Sequence, residues 1–352
     1  MKFYAKGLPW SSGIGQDVSD CHTSREVMEK ARLSFHVEKC EVVAKMPFTI
    51  LGNMPSDDEG FAYNGNIYRE VPNQFATYRT DVNVPLGLVQ QKYNVIQNID
   101  AFNFFDEAIG ENKALWQTAG MFGVGQKVFI SAKLPIDTDV TGDEINHYLI
   151  FSNSHDGSSS LNILFSPIRV FCTNCLASAF KNADAYIRIK HTKTAKERLE
   201  QGTRILKIAC EHAESITEIY KSLSRVGMSD KVVQRYLAGL VLTPEELSKL
   251  DDYDKDRGID KLICRNYLTM EATGISTRKA NKLATMYEYY MDGVGQQHIL
   301  GTAWGAYNAV TGYYSNVDNK SGEDRMNSLL YGGGATTIFR ALNDVVELAK
   351  AS

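Results

Sequence analysis

The octapeptide NSHDGSSS at residues 153–160 concentrates the residue types that nucleophilic catalysis uses. Around His155 and Asp156 it holds four hydroxyl side chains, those of Ser154, Ser158, Ser159 and Ser160. A serine activated by a histidine that an aspartate orients would form a hydrolytic triad. Side chains of consecutive residues at a strand end point apart, so such a triad would need a distant partner. Two other interpretations stay open: a hairpin tip that turns at Asp156 and Gly157, and a ligand-binding loop around His155 and Asp156.

The segment CTNC places Cys172 and Cys175 at the spacing found in zinc ribbons and thioredoxin-like redox sites. One such pair is half of a zinc site, and no second pair stands at a matching distance because Cys210 and Cys264 are isolated. The thioredoxin pattern around the motif is also missing. We therefore interpret the pair as structural cysteines at a strand-to-helix junction, and we predict no metal and no cofactor.

A basic stretch follows, KNADAYIRIKHTKTAKER at residues 181–198, in which aromatic rings are interleaved with cations. Residues 169–235 carry thirteen Lys or Arg against seven Asp or Glu, in a chain whose formal net charge is −4. Lysine and arginine side chains bind the phosphate backbone, and aromatic faces stack on unpaired bases, so this pattern favours a protein that binds single-stranded nucleic acid. The alternative is a solvated face of the protein. The candidate contacts are Arg169, Lys181, Tyr186, Arg188, Lys190, His191, Lys193 and Arg198, with the tyrosine as the stacking residue.

Glycine and aromatic motifs elsewhere do not strengthen an enzymatic interpretation. Gly123 and Gly125 do not complete a dinucleotide-binding or P-loop motif, so these motifs do not predict nucleotide hydrolysis. In GTAWGAYNAVTGYY the residues Trp304, Tyr307, Thr311 and Tyr314 share one helical stripe, which is typical of a core rather than of a stacking platform. The sequence favours a protein without catalytic activity and assigns no catalytic residue.

The strands that must position these residues precede the basic stretch. Short apolar or alternating runs between turn signals predict antiparallel strands over 127–134, 147–153 and 161–171, with SHDGSS as a hairpin tip. In NCLASAF, three apolar residues share one helical face, so a helix over 174–182 should pack on this sheet. We therefore predict an α+β fold with an antiparallel sheet and a packed helix.

The N-terminal third also mixes helix and strand. Thr23 and Glu26 have capping-box spacing at the start of a short helix, and Asn64-Gly65 lies between apolar and aromatic runs, which predicts a hairpin. Residues 91–110 predict a short strand followed by a helix.

From residue 173 onward the pattern is helical. The longest helix is predicted over 194–226, where apolar residues recur every seven positions in two registers, Leu199, Leu206, Ala213 and Tyr220 in one and Ala209, Ile216 and Leu223 in the other. Such a seam packs against another helix of the same chain or mediates self-association. Thr243, Pro244 and Glu246 form a second capping box. We predict an α+β domain over 1–182 and a helical domain over 183–352.

Composition sets the class of protein. A chain of 352 residues with 43% hydrophobic content can bury a large core, which excludes intrinsic disorder. Its charge and its pI near 6.0 argue against a protein that coats nucleic acid with its whole surface. Six cysteines are too sparse for a disulfide scaffold and indicate a reducing compartment. Without an N-terminal apolar run or a span of about 20 apolar residues, we expect a cytoplasmic protein that does not enter a membrane.

Seven segments resemble, in their order, the landmarks of the phage- and plasmid-like proteins grouped as domain of unknown function 932. They are LPWSSGIG, YNVIQNIDAFNFFDEAI, GVGQKVFISAKL, NSHDGSSS, IRVFCTNCL, IKHT and GTAWGAYNAVTGYY. The resemblance spans nearly the whole chain and implies a soluble protein of the host-cell cytoplasm, encoded by a phage, a plasmid or an integrated element, with no agreed activity. The chain departs from the family pattern at Cys175, where the family usually has a threonine or a similar residue, and this weakens a metal or redox role for CTNC.

The predicted succession of three strands and a helix over 127–182 is similar to the β-β-β-α core of single-strand annealing proteins of the Rad52 type, which phages carry for recombination. This likeness places the basic stretch directly after the core helix. Our leading hypothesis is a phage- or plasmid-type protein that binds single-stranded nucleic acid and acts in annealing or recombination. The alternative is a non-enzymatic interaction protein, either a defence inhibitor that acts on a host component or a self-assembling structural protein that forms homo-oligomers through the helical seam.

Overall fold

The computed structural model describes residues 14–47, 61–109, 114–169, 186–192, 203–318, 320 and 322–351. Within these ranges the fold is α+β, with two antiparallel sheets in the first half of the chain and a helical C-terminal part, which confirms the predicted fold class. The predicted helix over 174–182, the CTNC segment and the first residues of the long helix lie outside the described residues.

The strands of the described residues are β1 (Gly15–Asp17), β2 (Val37–Pro47), β3 (Phe61–Tyr63), β4 (Asn66–Arg79), β5 (Val84–Gln90), β6 (Leu115–Phe122), β7 (Lys127–Val140), β8 (Asp143–Ser154), β9 (Leu161–Arg169) and β10 (Tyr186–Ile189). The larger sheet has the order β1-β6-β7-β8-β9-β10, and all its neighbours are antiparallel. In the smaller sheet β4 lies between β2 and β3 and also pairs with β5.

The three strands predicted over 127–171 are confirmed as β7, β8 and β9, although the first two are longer than predicted. Their pairing continues through the polar run 137–146 up to Val140 and Asp143. Thr141 and Gly142 both have positive φ, 53° and 87°, which is the backbone of a two-residue hairpin turn that matches the twist of the strands. Residues 137–146 are polar enough for a loop, but they form the ends of two paired strands and the tight turn between them.

β10 extends the larger sheet, although residues 186–189 fall in the part predicted as a helical domain. Its four residues pair with β9 from Tyr186 opposite Leu164 to Ile189 opposite Leu161. Buried apolar residues of both parts join in one hydrophobic cluster. The division of the chain at residues 182 and 183 stays a prediction.

Local signals at the N-terminal third are confirmed. Asn64 and Gly65 have φ of 47° and 67° and connect β3 to β4, as the Asn-Gly hairpin signal predicts. The Thr23 hydroxyl accepts from the Glu26 amide at 3.2 Å, and the Glu26 carboxylate in turn accepts from the His22 amide at 2.7 Å. This cap begins the first helix.

The helices of the described residues are α1 (Ser24–Lys30), α2 (Asn98–Ile109), α3 (Thr203–Arg225), α4 (Asp230–Val241), α5 (Pro244–Asp254), α6 (Gly258–Ile263), α7 (Tyr267–Thr273), α8 (Thr277–Asp292), α9 (Ala303–Gly312), α10 (Gly322–Leu330) and α11 (Gly333–Ala351). A π-helical turn, Tyr313–Val317, continues α9. The capping box at the start of α5 forms as predicted, with the Thr243 hydroxyl and the Glu246 carboxylate each accepting from the other residue's amide.

The long helix α3 packs inside the molecule. Four of its seam residues are buried, namely Ala213, Ile216, Tyr220 and Leu223. The Tyr220 ring lies 4.5 Å from the Trp304 ring of α9, and the Trp304 stripe is buried, as the sequence predicts. At these four positions the seam therefore packs within the chain.

Both faces of the larger sheet are covered. One face packs on α1, α2 and α3 through residues such as Val128, Leu149 and Ile163. The other face carries a second hydrophobic cluster, which groups Phe129 and Ile150 with Met326 of α10. The sheet is thus a central layer, and its free functional surface is confined to its ends and edges.

Candidate nucleic-acid interface

The β8–β9 connection, residues 155–160, is a hairpin tip whose polar groups bond to one another. Asp156 Oδ1 accepts from the Ser154 hydroxyl at 2.5 Å and from the Ser158 amide at 2.9 Å. Gly157 has a φ of 75°, a conformation that favours glycine. This geometry confirms the hairpin-tip interpretation of NSHDGSSS.

The tip is not a free loop, because it packs against the smaller sheet. The Thr77 hydroxyl of β4 donates to the His155 carbonyl at 2.6 Å. A Cβ on Gly87 of β5 would lie 2.5 Å from Asp156 Cα, so only glycine allows the two backbones to approach this closely. The end of the hairpin is therefore held at the junction of the two sheets.

His155 is fully buried in this junction. Its Nε2 lies 2.9 Å from Asn98 Oδ1, and its ring packs edge-on against Phe35. Burial, together with the nearby His191, lowers the pKa of His155 to about 3, so the imidazole is neutral at pH 7. The Ser154 hydroxyl donates to Asp156 and not to this ring, so the described residues do not form the serine–histidine bond that the hydrolytic hypothesis requires.

The chain between β5 and α2 is attached to the hairpin end by side chains. The Asn153 side-chain amide donates to the Ile96 carbonyl at 3.0 Å. Ile96 lies two residues before Asn98, the hydrogen-bond partner of His155. The Tyr93 hydroxyl donates to the carbonyl of Ser154 at 2.6 Å. The short strand predicted before the helix in residues 91–110 is wrong: residues 91–97 are irregular because side chains of both sheets bond to their carbonyls in place of a neighbouring strand.

His191 occupies a buried position just after β10. Only 8% of its surface is exposed, its ring stacks on Tyr93 at 4.6 Å, and its Nδ1 lies 3.2 Å from the Asn94 carbonyl. The Asn94 amide donates to the His191 carbonyl at 3.1 Å. Burial lowers the pKa of His191 to about 4, so it is uncharged at pH 7. His191 therefore fastens β10 to residues 93–94, and its place among the nucleic-acid contacts stays a prediction.

Arg188 and Lys190 are exposed at β10, beside this buried histidine. The Arg188 Nε donates to the Ser160 hydroxyl at 3.0 Å, which directs the guanidinium along the hairpin tip. Lys190 directly precedes His191, so the bonds of the histidine to Asn94 also fix the backbone beside this lysine. Two of the predicted phosphate contacts are therefore exposed next to a rigid part of the fold.

Two lysines that sequence reasoning missed lie beside them. Lys92 is exposed at the start of the segment that Asn94 fastens to His191. Lys39 of β2 reaches the same segment, where its Nζ donates to the carbonyls of Gln91 and Tyr93 at 3.1 and 2.9 Å. We call the four cations the basic edge; they are Lys39, Lys92, Arg188 and Lys190. Neither added lysine lies in a charged run, so no local signal marks it.

The remaining predicted contacts fall at or beyond the limits of the described residues. Arg169 ends β9 and Tyr186 begins β10. Lys181, Lys193 and Arg198 lie outside the described residues. Their place as nucleic-acid contacts stays a prediction.

The His, Cys, Asp and Glu side chains of the described ranges do not gather into a metal site. No group of three of them is arranged to hold a metal ion. Among the helices described, none combines the length and the apolar character that crossing a membrane requires.

The fold and the site together define an α+β chain with a helical C-terminal part and a cationic edge beside a buried hairpin end. Residues 85–332 match the family model described as Domain of unknown function (DUF932), and because this is more than half of the 352 residues, the chain belongs to that family. The matched range includes the hairpin tip, residues 91–98 and β10. No curated protein and no solved structure matches the chain.

Proposed function

We propose that this protein binds single-stranded nucleic acid through the basic edge. The observation that supports the proposal most directly is that the cations belong to three separate segments of the chain that hydrogen bonds hold together. Lys39 contacts residues 91–93, and the bonds between Asn94 and His191 hold the segment of Lys92 against that of Lys190. Cations that converge from distant parts of a sequence onto a fixed backbone provide a track for phosphates.

The site contains little that would oppose a polyanion. Asp156, the carboxylate of the hairpin tip, accepts two hydrogen bonds from its own turn. Glu38, next to Lys39 in sequence, accepts from the Tyr78 hydroxyl at 2.9 Å. Both carboxylates keep their charge, but the side chains of Glu38 and Lys39 point to opposite faces of the strand, and the four cations of the basic edge outnumber these two carboxylates.

The proposal extends to strand annealing or recombination in a protein carried by a phage or plasmid. Its support is the antiparallel succession β7, β8 and β9, which corresponds to the three strands of the annealing-protein core, and the cations that follow these strands. This extension is an analogy of fold and requires its own assay of annealing between complementary oligonucleotides.

The test is binding of a fluorescent 20-nucleotide oligothymidine by anisotropy at 50 and 200 mM salt. We expect affinity to fall steeply with salt, and the double charge reversal Lys92→Glu with Lys190→Glu to weaken binding by about tenfold or more at 50 mM salt. The slope of log affinity against log salt should become shallower by about 0.7 for each phosphate that a lysine no longer neutralises.

A matched control reverses two exposed lysines of the helical part, Lys231→Glu and Lys255→Glu, and so changes the net charge equally. This control should bind within about twofold of the wild type. Absent or salt-insensitive binding by the wild type at 50 mM salt would refute the proposal and favour the alternative role as a non-enzymatic interaction protein.

A further inference from the structure

Three aromatic side chains lie together on one face of the β3–β4 hairpin, apart from the basic edge. Phe61 is 56% exposed and Tyr63 is 62% exposed, while Tyr68 is half-buried. Phe61 pairs with Tyr68 and Tyr63 pairs with Asn66 across the two strands, so the period-two alternation of side chains places the three rings on the same face. We call these three residues, with Lys45, the aromatic platform.

The platform is an ordered surface. The Phe61 and Tyr68 rings stack with centroids 5.1 Å apart and planes 11° from parallel. The Asn64-Gly65 turn, with positive φ at both residues, sets the register that brings these rings together. One face of Phe61 is turned toward Tyr68, and the exposed remainder of Phe61 together with the Tyr63 ring forms an aromatic surface of defined geometry.

A cation lies in the same cross-strand row as the stacked rings. Lys45 of β2 pairs with Tyr68, which pairs on its other side with Phe61. On the same face of the sheet, the next cross-strand pair is Val43 and Glu70. The lysine, and not this carboxylate, is therefore directly opposite a ring of the stacked pair. A flat aromatic surface next to an ammonium group complements a nucleotide, whose base stacks while its phosphate meets the cation.

We propose that the aromatic platform is a stacking site for unpaired bases of the nucleic acid that the protein binds. This proposal rests on the proposed function and adds to it the class of ligand group that contacts this face. Two exposed aromatic rings on one short hairpin also leave apolar area in water, a cost that a stacked base removes. A base is the occupant that fits because aromatic faces stack on any base, and Lys45, exposed opposite Tyr68, can meet the phosphate of the same nucleotide.

The experiment separates base stacking from phosphate binding. The double variant Phe61→Ala with Tyr63→Ala is compared with the wild type on oligothymidine and on an abasic oligonucleotide of the same length at 50 mM salt. We expect the variant to bind oligothymidine about 5- to 10-fold more weakly and the abasic strand within about twofold of the wild type. Tyr267→Ala is the matched control, because this tyrosine of α7 is 68% exposed and lies in the helical part.

Each outcome distinguishes this proposal from the proposed function. If the platform variant binds oligothymidine like the wild type while the Lys92 and Lys190 reversal still weakens binding, the stacking site is refuted and the proposed function stands. If the platform variant loses affinity equally for both strands, the rings do not read bases and the proposal also fails. If sedimentation velocity shows that the wild type dimerises and the platform variant does not, with oligonucleotide affinity unchanged, the face binds a second copy instead.

Discussion

His155 and His191 are buried as neutral rings, and each has one defined hydrogen bond, His155 to Asn98 at the start of α2 and His191 to Asn94 in the segment before it. Asn98 uses its amide nitrogen to donate to the Leu33 carbonyl, so its Oδ1 accepts from His155 Nε2. The Asn94 carbonyl can only accept, so His191 donates through Nδ1. Burial keeps the pKa of both rings far below the ordinary value of 6.5, so a drop in pH acts on the unfolded chain before it acts on the fold.

Acid should therefore destabilise the protein before its carboxylates titrate. The folded pKa values of His155 and His191, about 3 and about 4, lie below the unfolded value of 6.5, so the unfolded state takes up protons first. The free energy of unfolding should be nearly constant between about pH 7 and 8 and fall from about pH 6.5 toward pH 4, with each ring contributing up to about 1.4 kcal/mol per pH unit. Urea unfolding at pH 7.5, 6 and 5 measures this dependence.

The variant His191→Asn isolates the contribution of one ring. It keeps a donor for the Asn94 carbonyl and has no titrating group, so its free energy of unfolding should depend less steeply on pH than that of the wild type. An unchanged pH dependence in this variant would contradict the assignment of His191 as a buried neutral ring.

At the scale of elements, the junction between the sheets depends on backbone contact between β5 and the hairpin tip. Gly87 of β5 contacts Asp156 of the hairpin tip, and Gly157 of the tip contacts Val89, which also belongs to β5. The Thr77 hydroxyl, on the neighbouring strand β4, donates to the His155 carbonyl. A side chain at Gly87 would separate these elements and, with them, Lys39 and Lys92 from Arg188, which donates to Ser160 of the hairpin tip.

We expect Gly87→Ala to lower the free energy of unfolding by about 1–3 kcal/mol, because its Cβ would overlap the backbone of Asp156. It should also weaken oligonucleotide binding, since it displaces the strands that bring the basic edge together. Thermal unfolding and anisotropy measure the two effects.

The control is Gly239→Ala in α4, where the added Cβ meets no atom within 4 Å. In a helix interior this change should stabilise the protein by up to about 1 kcal/mol. Equal effects of the two substitutions would show that loss of glycine flexibility, and not the contact with Asp156, governs the response at Gly87.

At the scale of the whole molecule, one buried carboxylate joins the larger sheet to the helical part. Asp143 begins β8 directly after the turn at Thr141 and Gly142. Its two oxygens accept from His298 Nε2 and from Trp304 Nε1, both at 2.8 Å. The side chain is fully buried, so these bonds replace the water that a carboxylate requires and connect the end of the β7–β8 hairpin to the core of the helices.

The substitution Asp143→Asn tests this connection. The amide keeps the shape of the side chain but has one acceptor oxygen, so one of the two donors loses its partner. We expect the free energy of unfolding to fall by about 1–3 kcal/mol in urea titrations. Glu144→Gln, at the exposed neighbouring position, should change it by less than about 0.5 kcal/mol. A similar loss in both variants would mean that the charge of the hairpin turn, and not the buried bonds, determines stability.

Much of the fold is determined by local sequence. The Thr23 and Thr243 caps, the Asn64-Gly65 turn and the strands β7 to β9 follow from residues within one turn or one strand length, because caps, hairpin turns and side-chain alternation act over that range. The burial of the Trp304 stripe was predictable for the same reason, since helical periodicity alone identifies its apolar face.

The site depended on contacts between residues far apart in the chain. Residues 91–97 have a strand-like composition, but they form no strand because the side chains of Lys39, Asn153 and His191 bond to their carbonyls. His191 lies in a basic run and is nevertheless buried against Tyr93, which precedes it by almost a hundred residues. The charge state of an imidazole depends on its surroundings in space, and the surroundings of a side chain are set by packing rather than by its neighbours in sequence. Sequence alone therefore determined the elements and the excess of cations, and the tertiary structure determined which cations meet and which ring remains uncharged.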